Sequence, residues 1–227
     1  MGTRQASVHP IHSPATGTVF LVDDDPSVRR ALVRLLRSAG FAASSFGSAE
    51  DFLVSAGSDV VPSCLVVDLL MPGLSGLDLQ DLMQQQGFDM PIIFISGRGD
   101  VGSGVRAMKG GAVDFLEKPV SEATLTEAVR RALDQHRERR GDRLDREELE
   151  ARYSTLTPRE REVFSLIVTG RLNKQVGAEL GAAEKTVKVH RARVMQKMEA
   201  DSLAHLVRMA DRLVGSGSPR RSIASAS

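Results

Sequence analysis

The chain has 227 residues, of which 41% are hydrophobic and 26% charged, with 30 Lys/Arg against 29 Asp/Glu and a single cysteine. This length allows one large domain or two small ones, and the composition is that of a globular protein, not a disordered or fibrous one. No apolar run approaches the ~18 residues of a membrane span, and the first seventeen residues lack the apolar centre of a signal peptide. The lone Cys64 excludes an internal disulfide framework and a multi-cysteine metal site; it suits a reducing, cytoplasmic setting.

The near-neutral total hides an asymmetry. Residues 18–133 carry ten Lys/Arg against fifteen Asp/Glu, whereas 156–213 carry eleven against seven. An acidic half followed by a basic half predicts two domains with different partners.

In chain order, a polar arm over 1–17, expected to be disordered, precedes alternating strand and helix patterns. Thr18–Val22, Ala42–Phe46, Ser63–Val67, Pro91–Ile95 and Val113–Leu116 read as strands. Helical spacing covers 26–39, 48–56, 76–86 and 101–109, and a fifth helix starts at Ser121. Five such units predict a five-stranded doubly wound parallel sheet over 18–133, with both faces buried, which suits continuous runs such as Cys64-Leu65-Val66-Val67. Residues 134–155, interrupted by Gly141 and almost wholly charged over Asp142–Arg152, read as a linker, expected to be helical, with no apolar stripe to bury. It is either a solvated spacer or a coiled dimer stalk. From Leu156 the periodicity is helical throughout, near 158–169, 173–180, 184–198 and 202–213, which predicts an all-α four-helix domain over 156–213. The tail over 214–227 is low in complexity and expected to be disordered.

In a parallel sheet the loops at the strand carboxyl ends build the site. Here the first strand ends in Asp23, Asp24 and Asp25, the third in Asp68, the fourth in Ser96-Gly97, and Lys118-Pro119 follows the fifth. Several carboxylates at one edge repel each other unless a cation sits among them, and hard oxygen donors favour Mg²⁺. Lys118 and the Ser96 hydroxyl opposite would hold a phosphoryl group. Asp25 is read as a helix-start acid, not as a ligand.

These ordered features resemble the two-component receiver domain over the whole of 18–133. The resemblance implies Asp68 as phosphoacceptor, Asp24 as a direct Mg²⁺ ligand with Asp23 acting largely through water, and Asp68 and the Leu70 backbone carbonyl as further ligands. It implies that Ser96 and Lys118 contact the phosphoryl oxygens, that Lys118-Pro119 is cis, and that Phe115 turns inward with Ser96 as the switch. Gly97, Gly99, Gly102 and Gly104 around the fourth helix are either an easily remodelled switch or merely a loose loop.

Downstream, Thr157-Pro158-Arg159-Glu160 is a capping-box helix start, and a short helix, Gly181 and a basic helix follow the helix-turn-helix pattern. The wording from Leu156 to Val163, Asn173-Lys174-Gln175-Val176 and Thr186-Val187-Lys188-Val189-His190 resembles the LuxR-type domain over 156–213. The whole chain thus resembles a response regulator of the NarL/FixJ type. Phase places Val187, Val194 and Met198 in the core, with His190 and Arg191 at the margins. The opposite face carries Lys185, Val189, Ala192, Arg193 and Gln196, flanked by Lys188. Lys185 and Lys188 are candidates for guanine or phosphate, Val189 and Ala192 for thymine methyls, and Lys174, Thr186 and Arg193 for phosphates.

The resemblance implies a phosphorylation-switched transcription factor rather than an enzyme. Its partners would be a sensor histidine kinase, promoter double-stranded DNA, a second copy of the chain after phosphorylation and, as an allowed further partner, RNA polymerase. An aspartate-nucleophile phosphatase needs a second acid two residues after Asp68, where Leu70 stands. A receiver acting as an unphosphorylated interaction module remains the other alternative.

Overall fold

The structure, a computed structural model, describes residues 17–55, 61–97 and 101–214. The expected arm before Gly17, the end of the second expected helix at residue 56, Gly99 and the expected tail after Val214 lie outside the described residues. The chain divides into two compact units, one ending at Arg140 and the other starting at Gly141.

The first unit follows the expected alternation. β1 (Thr18–Val22), β2 (Ala42–Phe46), β3 (Ser63–Asp68), β4 (Ile92–Ser96) and β5 (Asp114–Glu117) form one sheet in the order β2-β1-β3-β4-β5. Every pairing is parallel. The helices between them are α1 (Pro26–Ser38), α2 (Ala49–Ser55), α3 (Gly76–Gln85) and α4 (Val101–Lys109). Because side chains alternate along a strand, each strand feeds two cores. Val19, Leu21, Cys64, Val66, Ile93 and Ile95 pack with Leu36 of α1 and with Leu125 and Val129 further on. Val22, Leu65, Val67 and Phe94 pack on the other face with Phe52, Leu79 and Met83. Every residue of β3 and β4 is buried. At ~1.5–3 kcal/mol for each large apolar side chain fully buried, these central strands dominate the unit's stability.

Local chemistry sets the helix ends. The Asp25 side chain caps α1 by accepting from the Ser27 and Val28 amides, with Pro26 at the first helical position. Ser75 and Asp78 form a reciprocal capping box on α3. The C-terminal end of α4 is tied to α3: Gln80 Nε2 donates to the carbonyls of Ala107 and Gly110, and Arg106 pairs with Asp81.

α5 (Glu122–Ser154) carries the charged stretch within one continuous helix, in keeping with its expected helical form. The helix passes through Gly141, whose cost in a helix interior is ~1 kcal/mol, and the ion pairs Arg143–Glu147, Arg146–Glu150 and Arg152–Glu148 line its charged stretch. Nor is that stretch wholly solvated. His136 is buried in the first unit, where its Nδ1 lies 2.8 Å from the Ser63 amide nitrogen, and Leu149 is buried in the second. Single buried residues on a charged helix make no stripe, so periodicity misses them.

The second unit comprises the end of α5 with α6 (Pro158–Ile167), α7 (Asn173–Leu180), α8 (Glu184–Lys197) and α9 (Leu203–Val214). Its core gathers Leu149, Leu156, Val163, Ile167, Val176, Val187, Val194, Met198 and Leu206, with Tyr153 stacked edge-on against Phe164. Thr157 and Glu160 close the expected capping box on α6. Lys197, at the end of α8, donates to Glu160 Oε2 at 2.7 Å and to the Thr155 carbonyl. Hydrogen bonds from Lys197 and from the Thr157 amide hold the buried Glu160 carboxyl down at a pKa of about 2.

Candidate functional site

Parallel register brings the sequence-selected residues to one sheet edge. Val67 pairs with Val22, Asp68 with Ile95, and Ser96 with Glu117, so Asp23, Asp68, Ser96 and Lys118 all lie at the carboxyl ends of neighbouring strands. α3 begins against this edge because residue 76 is glycine. A Cβ there would fall 2.5 Å from the Asp68 carbonyl oxygen.

One ammonium bridges two of the carboxylates at the edge. Lys118 Nζ donates to Asp23 Oδ2 and Asp68 Oδ2, each at 2.7 Å. The second oxygen of each carboxylate takes a backbone amide: Asp25 N–H for Asp23, at 2.9 Å, and Leu70 N–H for Asp68, at 3.2 Å. Partial burial pulls the Lys118 pKa down, but hydrogen bonds to Asp23 and Asp68 and their negative charge outweigh it and hold the ammonium above the ordinary lysine value. Asp25 is spent as a helix cap, and the amides of Ser27 and Val28 lower its pKa. This agrees with its reading as a helix-start acid.

Asp23, Asp24 and Asp68 each offer a carboxylate oxygen within 4.8 Å of the others. Asp24 is exposed, and among the described residues its carboxylate has no hydrogen-bond partner. Three hard oxygen donors, one open to solvent, fit a divalent cation of the Mg²⁺ kind.

Ser96 is buried at the end of β4, and its carbonyl accepts from the Lys118 amide at 2.7 Å. The Lys118–Pro119 peptide is cis, as the resemblance implies. Leu70, two residues beyond Asp68, is 73% exposed. Phe115 is half-buried and lines an open apolar groove with Val101, Gly104, Val105 and Met108 of α4. Cys64 is fully buried in β3, where burial pushes its thiol pKa up.

Sequence reasoning missed one contributor to this edge, Arg29. Its guanidinium reaches back to the carbonyls of Asp23 and Asp24. A basic residue on the first turns of a helix carries no signal of where its end will go.

In the second unit, α7, a turn at Gly181 and α8 make a helix-turn-helix. Gly181 ends α7 in the left-handed conformation at φ 61°. Gly177 lets α7 lie on the turn, since a Cβ there would meet the Ala182 carbonyl at 2.7 Å. Val187, Val194 and Met198 are buried, as phase predicts. Lys185, Thr186, Lys188, Val189, Ala192 and Arg193 are all exposed, as is Lys174 on α7. Val189 is 46% exposed. Lys174, Lys185, Lys188 and Arg193 make no ion pair among the described residues. Arg191, by contrast, reaches the Asn173 side chain at 3.3 Å, so it ties α8 to α7.

A parallel α/β unit with a lysine-bridged carboxylate cluster, followed by a helix-turn-helix with free cations, defines a phosphoreceiver coupled to a DNA-binding output. The chain matches the response regulator receiver domain over residues 19–130 and the luxR family of bacterial regulatory proteins over 154–210. It is 51% identical to Nodulation protein W of Bradyrhizobium diazoefficiens over 86% of each chain. It is 45% identical to the transcriptional regulatory protein FixJ of Rhizobium meliloti, over 85% of this chain and 94% of that one. Among solved structures, the response regulator StyR superposes with a TM-score of 0.79 at 46% identity, covering 87% of this chain and 99% of that one. Full-length FixJ from B. japonicum gives 0.54 at 40% identity, over 87% and 97%. The chain belongs to the two-component response regulators with a LuxR-type DNA-binding domain, and it is a DNA-binding transcriptional regulator. The two domains imply a histidine kinase and DNA as partners. Among the described residues no helix is long and apolar enough to cross a membrane.

Proposed function

We propose that Asp68 accepts a phosphoryl group from a sensor histidine kinase and that the resulting acyl phosphate switches promoter binding by the second domain. The Lys118 bridge between Asp23 and Asp68 carries this reading, because it sets a cation beside the one carboxylate that stands at the end of the central strand. As the P–O bond to Asp68 forms, the P–N bond to the kinase histidine breaks, and the imidazole keeps the electron pair. Lys118 faces the charge that spreads over the phosphoryl oxygens in transfer, and the Ser96 hydroxyl takes one of those oxygens afterwards. Asp23, Asp24, Asp68 and the Leu70 carbonyl would hold Mg²⁺, whose chemistry there is neutralisation of the phosphoryl oxygens. Asp68 is modified once per signal, so the chain is a switch and not a turnover enzyme.

Residues 18–133 act as receiver and 156–213 as output, in the cytoplasm. With Asp68 phosphorylated, Ser96 and Phe115 shift the α4 surface, and two chains pair through the apolar groove beside Phe115. Two copies of α8 then read a two-fold-related promoter site, with Lys174, Thr186 and Arg193 on phosphates, Lys185 and Lys188 on guanine or phosphate, and Val189 and Ala192 against thymine methyls. RNA polymerase is the downstream partner.

The test is the solution molar mass of the full chain with Mg²⁺, with and without beryllium fluoride, beside Asp68→Asn. Doubling in the wild type only is expected. No change in either protein overturns dimerisation as the output, and a change in both removes Asp68 as the acceptor.

A further inference from the structure

The β1–α1 loop supplies two of the three clustered carboxylates, yet only one of the two is anchored through its own side chain. Both oxygens of Asp23 are engaged, by the Asp25 amide and by Lys118. The Asp24 carboxylate has no partner among the described residues, so only its backbone fixes where it points. That backbone is gripped by one side chain. Arg29, in the first turns of α1, folds back so that Nη1 donates to the Asp23 carbonyl at 2.6 Å and to the Asp24 carbonyl at 3.0 Å. The guanidinium lies beside Gly47, where a Cβ would stand 3.6 Å from Nη1.

We propose that Arg29 is a positioning residue for divalent-cation binding: its double hydrogen bond to the Asp23 and Asp24 carbonyls preorganises the loop that presents Asp24. The proposal rests on the reading of Asp23, Asp24 and Asp68 as a Mg²⁺ site. Two effects of Arg29 oppose each other there. Its positive charge repels an incoming cation, while its hydrogen bonds remove loop freedom that binding would otherwise have to remove. The guanidinium charge is delocalised, half-exposed and already directed at two carbonyl dipoles, so solvent screens it, and the positioning effect prevails.

The sign of the effect is therefore diagnostic. In the ¹⁵N-labelled full chain, Mg²⁺ is titrated and followed through backbone amide shifts, for wild type, Arg29→Met and Arg29→Lys. Arg29→Met is expected to weaken Mg²⁺ binding by ~5–10-fold, as expected when preorganisation at a site is lost. Arg29→Lys, which keeps a charge and N–H donors, recovers part of that loss. Phosphorylation by a small acyl phosphate separates positioning from general damage: saturating Mg²⁺ restores the Arg29→Met rate to near the wild-type level.

Unchanged or tighter Mg²⁺ binding in Arg29→Met overturns the proposal, since charge repulsion then outweighs positioning. A slow rate that saturating Mg²⁺ does not restore also overturns it. Failure of the underlying site reading looks different, because wild type and Asp24→Asn would then respond to Mg²⁺ alike.

Discussion

The sheet edge around Asp68 and the outer face of α8 are both charged, but they treat charge in opposite ways. At the edge, one ammonium bridges two carboxylates, and backbone amides take up their remaining oxygens. On α8 and the start of α7, Lys174, Lys185, Lys188 and Arg193 point outward with no ion pair among the described residues. Elsewhere in the same unit, Arg152, Arg159 and Lys197 are all paired. A site that handles a small phosphoryl group must have its charges placed before the group arrives, because positioning supplies the rate. A surface that meets a polyanion gains by leaving its cations free, since each contact releases a counterion from the nucleic acid.

The contrast breaks most visibly at Lys118. Lys118→Ala leaves Asp23 and Asp68 facing each other without a bridge, and phosphorylation of Asp68 by a labelled kinase is expected to slow by ~10²-fold or more, the size typical of losing a preorganised electrostatic partner. A rate within a factor of three of wild type would show that the bridge belongs to the resting state alone.

The pair Glu160–Lys197 is the second unit's counterpart to the bridge at the edge, and its effect is on stability. Glu160→Gln is expected to destabilise that unit by ~1–3 kcal/mol, the cost of weakening a buried charge-assisted hydrogen bond. The sequence contains one tyrosine and no tryptophan, and Tyr153 packs in this core, so tyrosine fluorescence reports the second unit alone. The same probe checks the pH dependence. The folded Glu160 pKa of about 2 lies below the ordinary value of 4.5, so its contribution is complete above pH 4.5 and is lost as pH falls towards 2. In Glu160→Gln that part of the acid sensitivity disappears.

Substitutions on the open face should act on DNA and not on the fold. Lys188→Ala is expected to lower promoter affinity by ~5–10-fold and to reduce the slope of log affinity against log salt by ~1 if Lys188 meets a phosphate. An unchanged slope with relaxed sequence preference would instead put Lys188 on a base. Val189→Ala sharpens the same question with the smallest effect: a loss of ~1 kcal/mol or less, confined to sites with thymine at the contacted position, measured by competition between operators.

How far all this is legible in sequence depends on what kind of contact carries it. β1 and β2 fall where the apolar runs place them, and caps at Asp25 and Thr157 follow from short-range chemistry. β4 starts one residue later than expected, at Ile92, because Pro91 has no N–H to give the ladder, although its carbonyl accepts from Leu65. Asp23, Asp68 and Lys118 were visible because strand ends in a parallel sheet converge by topology. Arg29, Gln80 and Lys197 were not. Each is a long polar side chain whose end reaches a backbone or carboxylate target, and no periodicity records that reach. Leu149 is hidden for the converse reason: it is one of two leucines in a charged stretch, and the other, Leu144, is exposed.

The two duties of α8 fall on different residues. Val187, Val194, Met198 and Lys197 seat the helix, and none of Lys185, Lys188, Val189, Ala192 or Arg193 contributes to the core. The outer positions can therefore drift or be exchanged without a stability cost that selection would notice, while the seat stays constant. A lineage that duplicates this chain can rewrite its address book one surface residue at a time, and every intermediate still folds.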